Sequence, residues 1–274
     1  PEWLAEDRGG IIVGISTSFS ALCTVCMLLR LYVRIFILHS FQLDDYIIIA
    51  ACVSCWICVG MGIIAVDCGQ GQHMATLTSS QISCAIKWSL LGFIPGIFSF
   101  TLPKLAAIIL LDRLLPSSSG RHAKLLKRVL WLLGLLCILA LIVCIILTVV
   151  RCIPLKAFWS SNITNKKCIS PIIVENFSIF SGAFSAFVDF CLAAFPLVFI
   201  CNLKLTLSKK IGISIALGFG FCACAVAIVK TVQLFSLASD DFTFESADIL
   251  IWTIVEGSVV IVSTCVPMLN PLRE

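Results

Sequence analysis

The sequence predicts an all-α fold: one seven-transmembrane helix bundle, N-terminus outside and C-terminus cytosolic. Composition is the first ground. Of 274 residues, 60% are hydrophobic and only 12% are charged, and the mean hydropathy is +1.10. A soluble domain of this size carries about 25% charged residues. The run 87–113 is the second ground, because between Trp88 and Leu111 its sole ionisable residue is Lys104. A helix crosses a bilayer with about 20 apolar residues. The third is the distribution of Lys and Arg among the connections. The charge of +4 lies in loops and does not point to nucleic acid.

Taken in order, the spans are expected at about 11–33, 46–66, 88–111, 129–150, 177–201, 211–235 and 249–268. No soluble domain and no internal repeat separates them. Residues 1–10 carry Glu2, Glu6, Asp7 and Arg8, unlike a signal peptide. With no initiator Met, the chain is expected to be a domain with flanks. Span 1 ends on Arg30 and Arg34, and Asp44 and Asp45 open span 2. Acidic residues there complement a helix N-terminus, and either arginine can pair with them as a structural clamp. Gly69, Gly71 and His73 follow span 2. No strand precedes these glycines, so they make a tight outer turn rather than a nucleotide loop. His73 reads as an interfacial residue before a pH sensor.

Span 3 holds Pro95 and Pro103, which kink a membrane helix without excluding it. It is placed at the centre of the bundle. Its lone Lys104 must face inward to a partner. The span closes on Asp112 and Arg113, and Arg121, Lys124, Lys127 and Arg128 follow. Such a basic stretch is read first as drawn to anionic lipid, at roughly 1 kcal/mol per residue, and second as a contact for a G protein. The 4–5 loop contains the sequon Asn162-Ile163-Thr164. A second, Asn176-Phe177-Ser178, lies against span 5. Asp240, Asp241, Glu245 and Asp248 make the 6–7 connection acidic, and it is read as mostly solvated.

Eleven basic residues fall on the side of loops 1–2, 3–4 and 5–6, and six on the other. The positive-inside rule then sets the orientation. Cysteine placement agrees. Most of the 16 cysteines lie in apolar runs, where a free thiol behaves as a small hydrophobe. The pairs Cys23/Cys26 and Cys52/Cys55 have no accompanying histidine, so no metal is expected. Cys68, Cys84, Cys152 and Cys168 lie outside the spans, all on the proposed outer face where disulfides persist. Their connectivity stays open at three possibilities.

Four ionisable residues sit inside spans: Lys104, Asp189, Lys230 and Glu256. Depths of about 17–18 Å for Lys104 and Asp189, and about 8–10 Å for Lys230 and Glu256, follow from the helical rise. Two separate ion pairs are therefore expected, Lys104–Asp189 near mid-membrane and Lys230–Glu256 nearer the outer mouth. They are read first as interhelical pins and second as the lining of an outward-opening cavity.

The ordered set of motifs resembles the fungal rhodopsin-like seven-transmembrane family, which includes Pth-type receptor-like proteins. The residues are Arg30-Leu31-Tyr32-Val33-Arg34, Asp44-Asp45-Tyr46, Gly69-x-Gly71-x-His73, Lys104 to Arg113, Cys152-x-Pro154 with Trp159 and Cys168, Asp189 with Pro196, and Glu256 with Pro267 and Pro271. Lys230 stands where the family often has Arg. The resemblance implies a G-protein-coupled sensor of a surface cue or small molecule in the plasma membrane, with Asp112 and Arg113 at the cytosolic coupling end. It does not imply retinal: span 7 has no lysine. The rival reading is an integral-membrane cyclase or isomerase of a lipophilic metabolite, with Asp189 and Glu256 as acid or base. No nucleophile–histidine pairing supports it. A transporter would want inverted repeats.

Overall fold

The computed structural model describes residues 6–114, 121–159, 167–202, 207–235 and 241–268. Among them are seven α-helices: α1 (Gly9–Tyr32), α2 (Leu43–Asp67), α3 (Ser79–Leu114), α4 (Arg121–Val149), α5 (Pro171–Asn202), α6 (Leu207–Gln233) and α7 (Phe242–Cys265). Six are long and apolar enough to cross a membrane; α6 opens on Ser208, Lys209 and Lys210, and its apolar stretch is the shorter Leu217–Gln233. Cys152–Ile153 (β1) and Lys167–Cys168 (β2) pair as a small antiparallel ribbon between α4 and α5.

Local chemistry starts these helices. The Gly9 N–H donates to Asp7 Oδ1 at 2.8 Å, and the Gln42 N–H donates to Asp45 Oδ2 at 3.0 Å. Pro171 takes the first position of α5, where its missing N–H costs nothing. The end of α1 widens into a π-helical turn, Val33–Ile37. Several helices start before their apolar cores. Serine, glutamine and threonine sustain helical hydrogen bonding beyond the stretch that lipid requires. Thus α3 begins at Ser79 rather than 88, and α7 at Phe242 rather than 249. With 36 residues, α3 is about 54 Å long, well beyond the ~30 Å hydrocarbon core.

The centre of the bundle is shared. In α7, 67% of the spanning window is buried, against 50% in α3 and 17% in α4. The expected central place of α3 is thus shared with α7, the more buried of the two. A glycine makes the sharing possible. A Cβ on Gly257 would meet the Ser99 carbonyl oxygen at 3.0 Å. That carbonyl lies four residues before Pro103, which has no N–H to offer it. The backbone of α7 therefore closes on α3 at the point where the proline has left a carbonyl unpaired within the helix. The core around this contact joins α1, α2, α3 and α7 through Cys23, Met27, Ile48, Ala106 and Ile261. On the periphery, α4 presents Trp131, Leu132, Leu135 and Ile146, more than half exposed in each case, to the bilayer.

One end of the bundle carries two disulfides, Cys68–Cys84 and Cys152–Cys168. Of the three connectivities left open, this is the one the fold adopts. At the same end Gly69 and Gly71 have positive φ, 110° and 94°, which only glycine adopts without strain. The turn they make seats the α2–α3 loop on α7: the Gly71 N–H donates to the Thr243 carbonyl at 3.0 Å, and Thr243 Oγ1 donates to the Gln72 carbonyl at 2.8 Å.

Candidate functional site

Three polar assemblies stand out in an otherwise apolar bundle. The innermost joins four helices. Lys104 Nζ of α3 donates to Asp189 Oδ2 of α5 at 2.8 Å and to Glu256 Oε1 of α7 at 2.9 Å. It also donates to Ser185 Oγ at 2.5 Å, and that hydroxyl donates to Glu256 Oε1 at 2.8 Å. Lys230 of α6 closes the group on Glu256 Oε2, with its ammonium 3.8 Å from the Phe100 ring centroid. All four ionised residues are at most 5% exposed. Two ammonium groups against two carboxylates make the cluster neutral, the condition under which charges persist in low dielectric.

The predicted partners meet, but not as two pairs at two depths. Glu256 receives both lysines and fuses the pairs into one network. Depths counted from the apolar edges mislead here, because Glu256 lies fourteen residues into α7, about 21 Å of helix. The long lysine stem also reaches across a helical turn. Ser185 and Phe100 were missed by sequence reasoning. Each has a signal: Ser185 is four residues before Asp189, and Phe100 four before Lys104, so each pair shares a helix face.

The second assembly lies at the opposite end from the disulfides. Arg30 Nε donates to Asp45 Oδ1 at 2.9 Å, and its Nη2 pairs with Asp44. Arg30 Nη1 donates to the Thr264 carbonyl of α7 at 2.6 Å. Arg34 Nη2 donates to Asp44 Oδ2 at 2.9 Å, and Arg113 Nη1 to Asp44 Oδ1 at 2.6 Å. Arg30 and Arg34 are one turn apart and face the same way, so both arginines enter the clamp. Asp112 and Arg113 contact different partners. Adjacent helical residues point apart, and Asp112 instead pairs with Lys127 of α4 at 3.4 Å.

The third assembly caps the disulfide end. His73 Nδ1 lies 2.6 Å from Asp241 Oδ2 and its ring stacks on Phe244 at 4.0 Å. Arg8 pairs with Asp248 at 3.0 Å and sits 4.1 Å over the same Phe244 ring. The acidic connection before α7 is thus not simply solvated: Asp241 and Asp248 hold the N-terminal segment and the α2–α3 loop in place. Asn162 lies outside the described residues; Asn176 is exposed in the second turn of α5.

Between the inner cluster and the disulfide end, α3 to α7 line a partly open cavity of about 110 Å³. Leu90, Phe93, Ile97 and Phe100 line it from α3, and Val174 to Ser185 from α5. Ser185 and Lys230 form its inner wall and Arg151 its edge at the end of α4. A smaller void of about 30 Å³ shares Phe100 and Ser185 with it and reaches Lys104.

A family model described as the fungal rhodopsin domain matches residues 29–274. No curated protein and no solved structure matches.

Proposed function

We propose, from the premise that the chain belongs to the fungal rhodopsin domain family, that this integral membrane protein is a receptor-like sensor of a small molecule. The disulfide end faces outside, the clamp end faces the cytosol and a heterotrimeric G protein, and the membrane is the plasma membrane. One observation carries the reading: Ser185 and Lys230 line the cavity and also belong to the buried charge cluster. A ligand that engages either one alters the ties among α3, α5, α6 and α7. Occupancy then shifts the population of helix arrangements by differential contacts. Helix α3 links the cluster to the clamp, since Arg113 lies nine residues beyond Lys104, about 13 Å of helix.

Acid–base catalysis is the weaker reading, because Asp189 and Glu256 do not line the larger cavity. Retinal has no place in the proposal, because α7 has no lysine from Phe242 to Cys265.

The test uses release of the clamp. Arg113→Ala frees α3 from Asp44 and is expected to raise basal coupling. Energy transfer between tagged G-protein subunits in a fungal host measures it. Unchanged coupling in Arg113→Ala and in Arg30→Gln, at equal membrane levels, would count against the receptor reading.

A further inference from the structure

The cavity walls contain five hydroxyls, and each already has a hydrogen-bond partner within the protein. Thr148 donates to the Cys144 carbonyl at 2.8 Å, Ser178 to the Val174 carbonyl at 2.7 Å, and Thr253 to the Ile249 carbonyl at 2.7 Å. Ser181 is bonded to the Cys144 thiol at 3.3 Å and Ser185 to Glu256. To a ligand these walls are mostly apolar, with Phe93, Ile97, Phe177, Leu234 and Ile249 among the lining side chains.

Two cations touch the cavity, and they differ. Lys230 is neutralised by Glu256. Arg151, at the other end, has no carboxylate partner among the described residues; its guanidinium lies 4.4 Å over the Phe158 ring. Burial lowers its pKa from the ordinary arginine value, though an arginine stays charged at any accessible pH. An arginine fork resting on an aromatic face is pre-organised for bidentate pairing with a carboxylate.

We infer that the cavity binds a free aliphatic carboxylate, its head on Arg151 and its apolar chain running inward between α3 and α5 toward Phe100. The inference rests on the receptor reading for its purpose but not for its test. On α5 the lining runs from Val174 to Ser185, eleven residues or about 16 Å of helix, a depth suited to a medium-length acyl chain. Charge complementarity selects the head, and the mostly apolar lining selects against a polar tail. An amine of the same chain length is repelled by Arg151, and an alcohol loses the charge-assisted bond.

The experiment uses the whole chain in phosphatidylcholine nanodiscs, with octanoate, octanol and octylamine as probes. Saturation-transfer NMR is corrected against empty discs. Octanoate is expected to bind, and Arg151→Gln to weaken it by roughly tenfold or more, the size of one charge-assisted hydrogen bond. Arg151→Lys should retain part of the affinity, and Ser178→Phe should remove binding of octanoate by filling the cavity. Thermal melting of each variant separates lost binding from lost folding. Equal octanoate affinity in the parent and Arg151→Gln overturns the assignment. So does octanoate binding that survives Ser178→Phe. Arg151-dependent retention of anionic phospholipid through purification, with octanoate unable to displace it, assigns the cavity to lipid and also overturns it. None of these outcomes bears on G-protein coupling, which the clamp variants test separately.

Discussion

Glu256 is fully buried and holds two ammonium groups, whereas Asp189 holds one. The two carboxylates are therefore unequal. Neutralising either carboxylate leaves two buried cations facing one, but only Glu256→Gln strips Lys230 of its carboxylate contact, and removing one partner of a buried pair costs about 3–5 kcal/mol. Asp189→Asn leaves Lys104 with Glu256 and Ser185, a loss nearer the ~1–3 kcal/mol of one unsatisfied group. Denaturation in mixed micelles should rank Glu256→Gln well below Asp189→Asn; the reverse order would contradict the fused network. That each of these four residues finds an oppositely charged partner was legible in the sequence, because an ionisable side chain in a lipid-crossing helix must be paired. The sharing of Glu256 was not. It depends on helix starts and a lysine's reach, which hydropathy does not record.

At the scale of the element, the α3–α7 contact depends on Gly257 and on the carbonyl freed by Pro103. Gly257→Ala places a methyl 3.0 Å from the Ser99 oxygen, so the two backbones must part. Overpacking of this kind costs about 1–3 kcal/mol. The displacement should also lengthen the Lys104–Glu256 contact, one residue away. Melting of Gly257→Ala and Glu256→Gln, singly and together, tests this: losses that fail to add show that the glycine acts through the cluster, and strictly additive losses show that it does not. Pro103 was visible in the sequence as a kink, but its complement on α7 was not. Two segments over a hundred residues apart carry no local sign that they touch.

At the scale of the molecule, the bundle has two polar ends of opposite character. One is stapled by disulfides and the His73–Asp241 and Arg8–Asp248 contacts; the other is clamped by Arg30, Arg34 and Arg113 on Asp44 and Asp45. If the disulfide end faces outside, the full chain expressed in a fungal host should carry glycan at Asn162. An endoglycosidase mobility shift that disappears in Asn162→Gln checks this, and a parent protein without the shift but accessible to cytosolic labelling near Asn162 would reverse the orientation. The sequence by itself determined the all-α class, the lipid-exposed character of the helices, the residues that had to be paired and the face on which cysteines gather. These follow from composition and from the cost of unpaired charge in hydrocarbon, which are properties of each segment alone. Only the tertiary structure decided that α7 shares the centre with α3, that Arg113 pairs with Asp44 while Asp112 pairs with Lys127, and that a cavity lies over the charge cluster. Those are relations between distant helices, set by how closely backbones approach and by which faces they turn to one another.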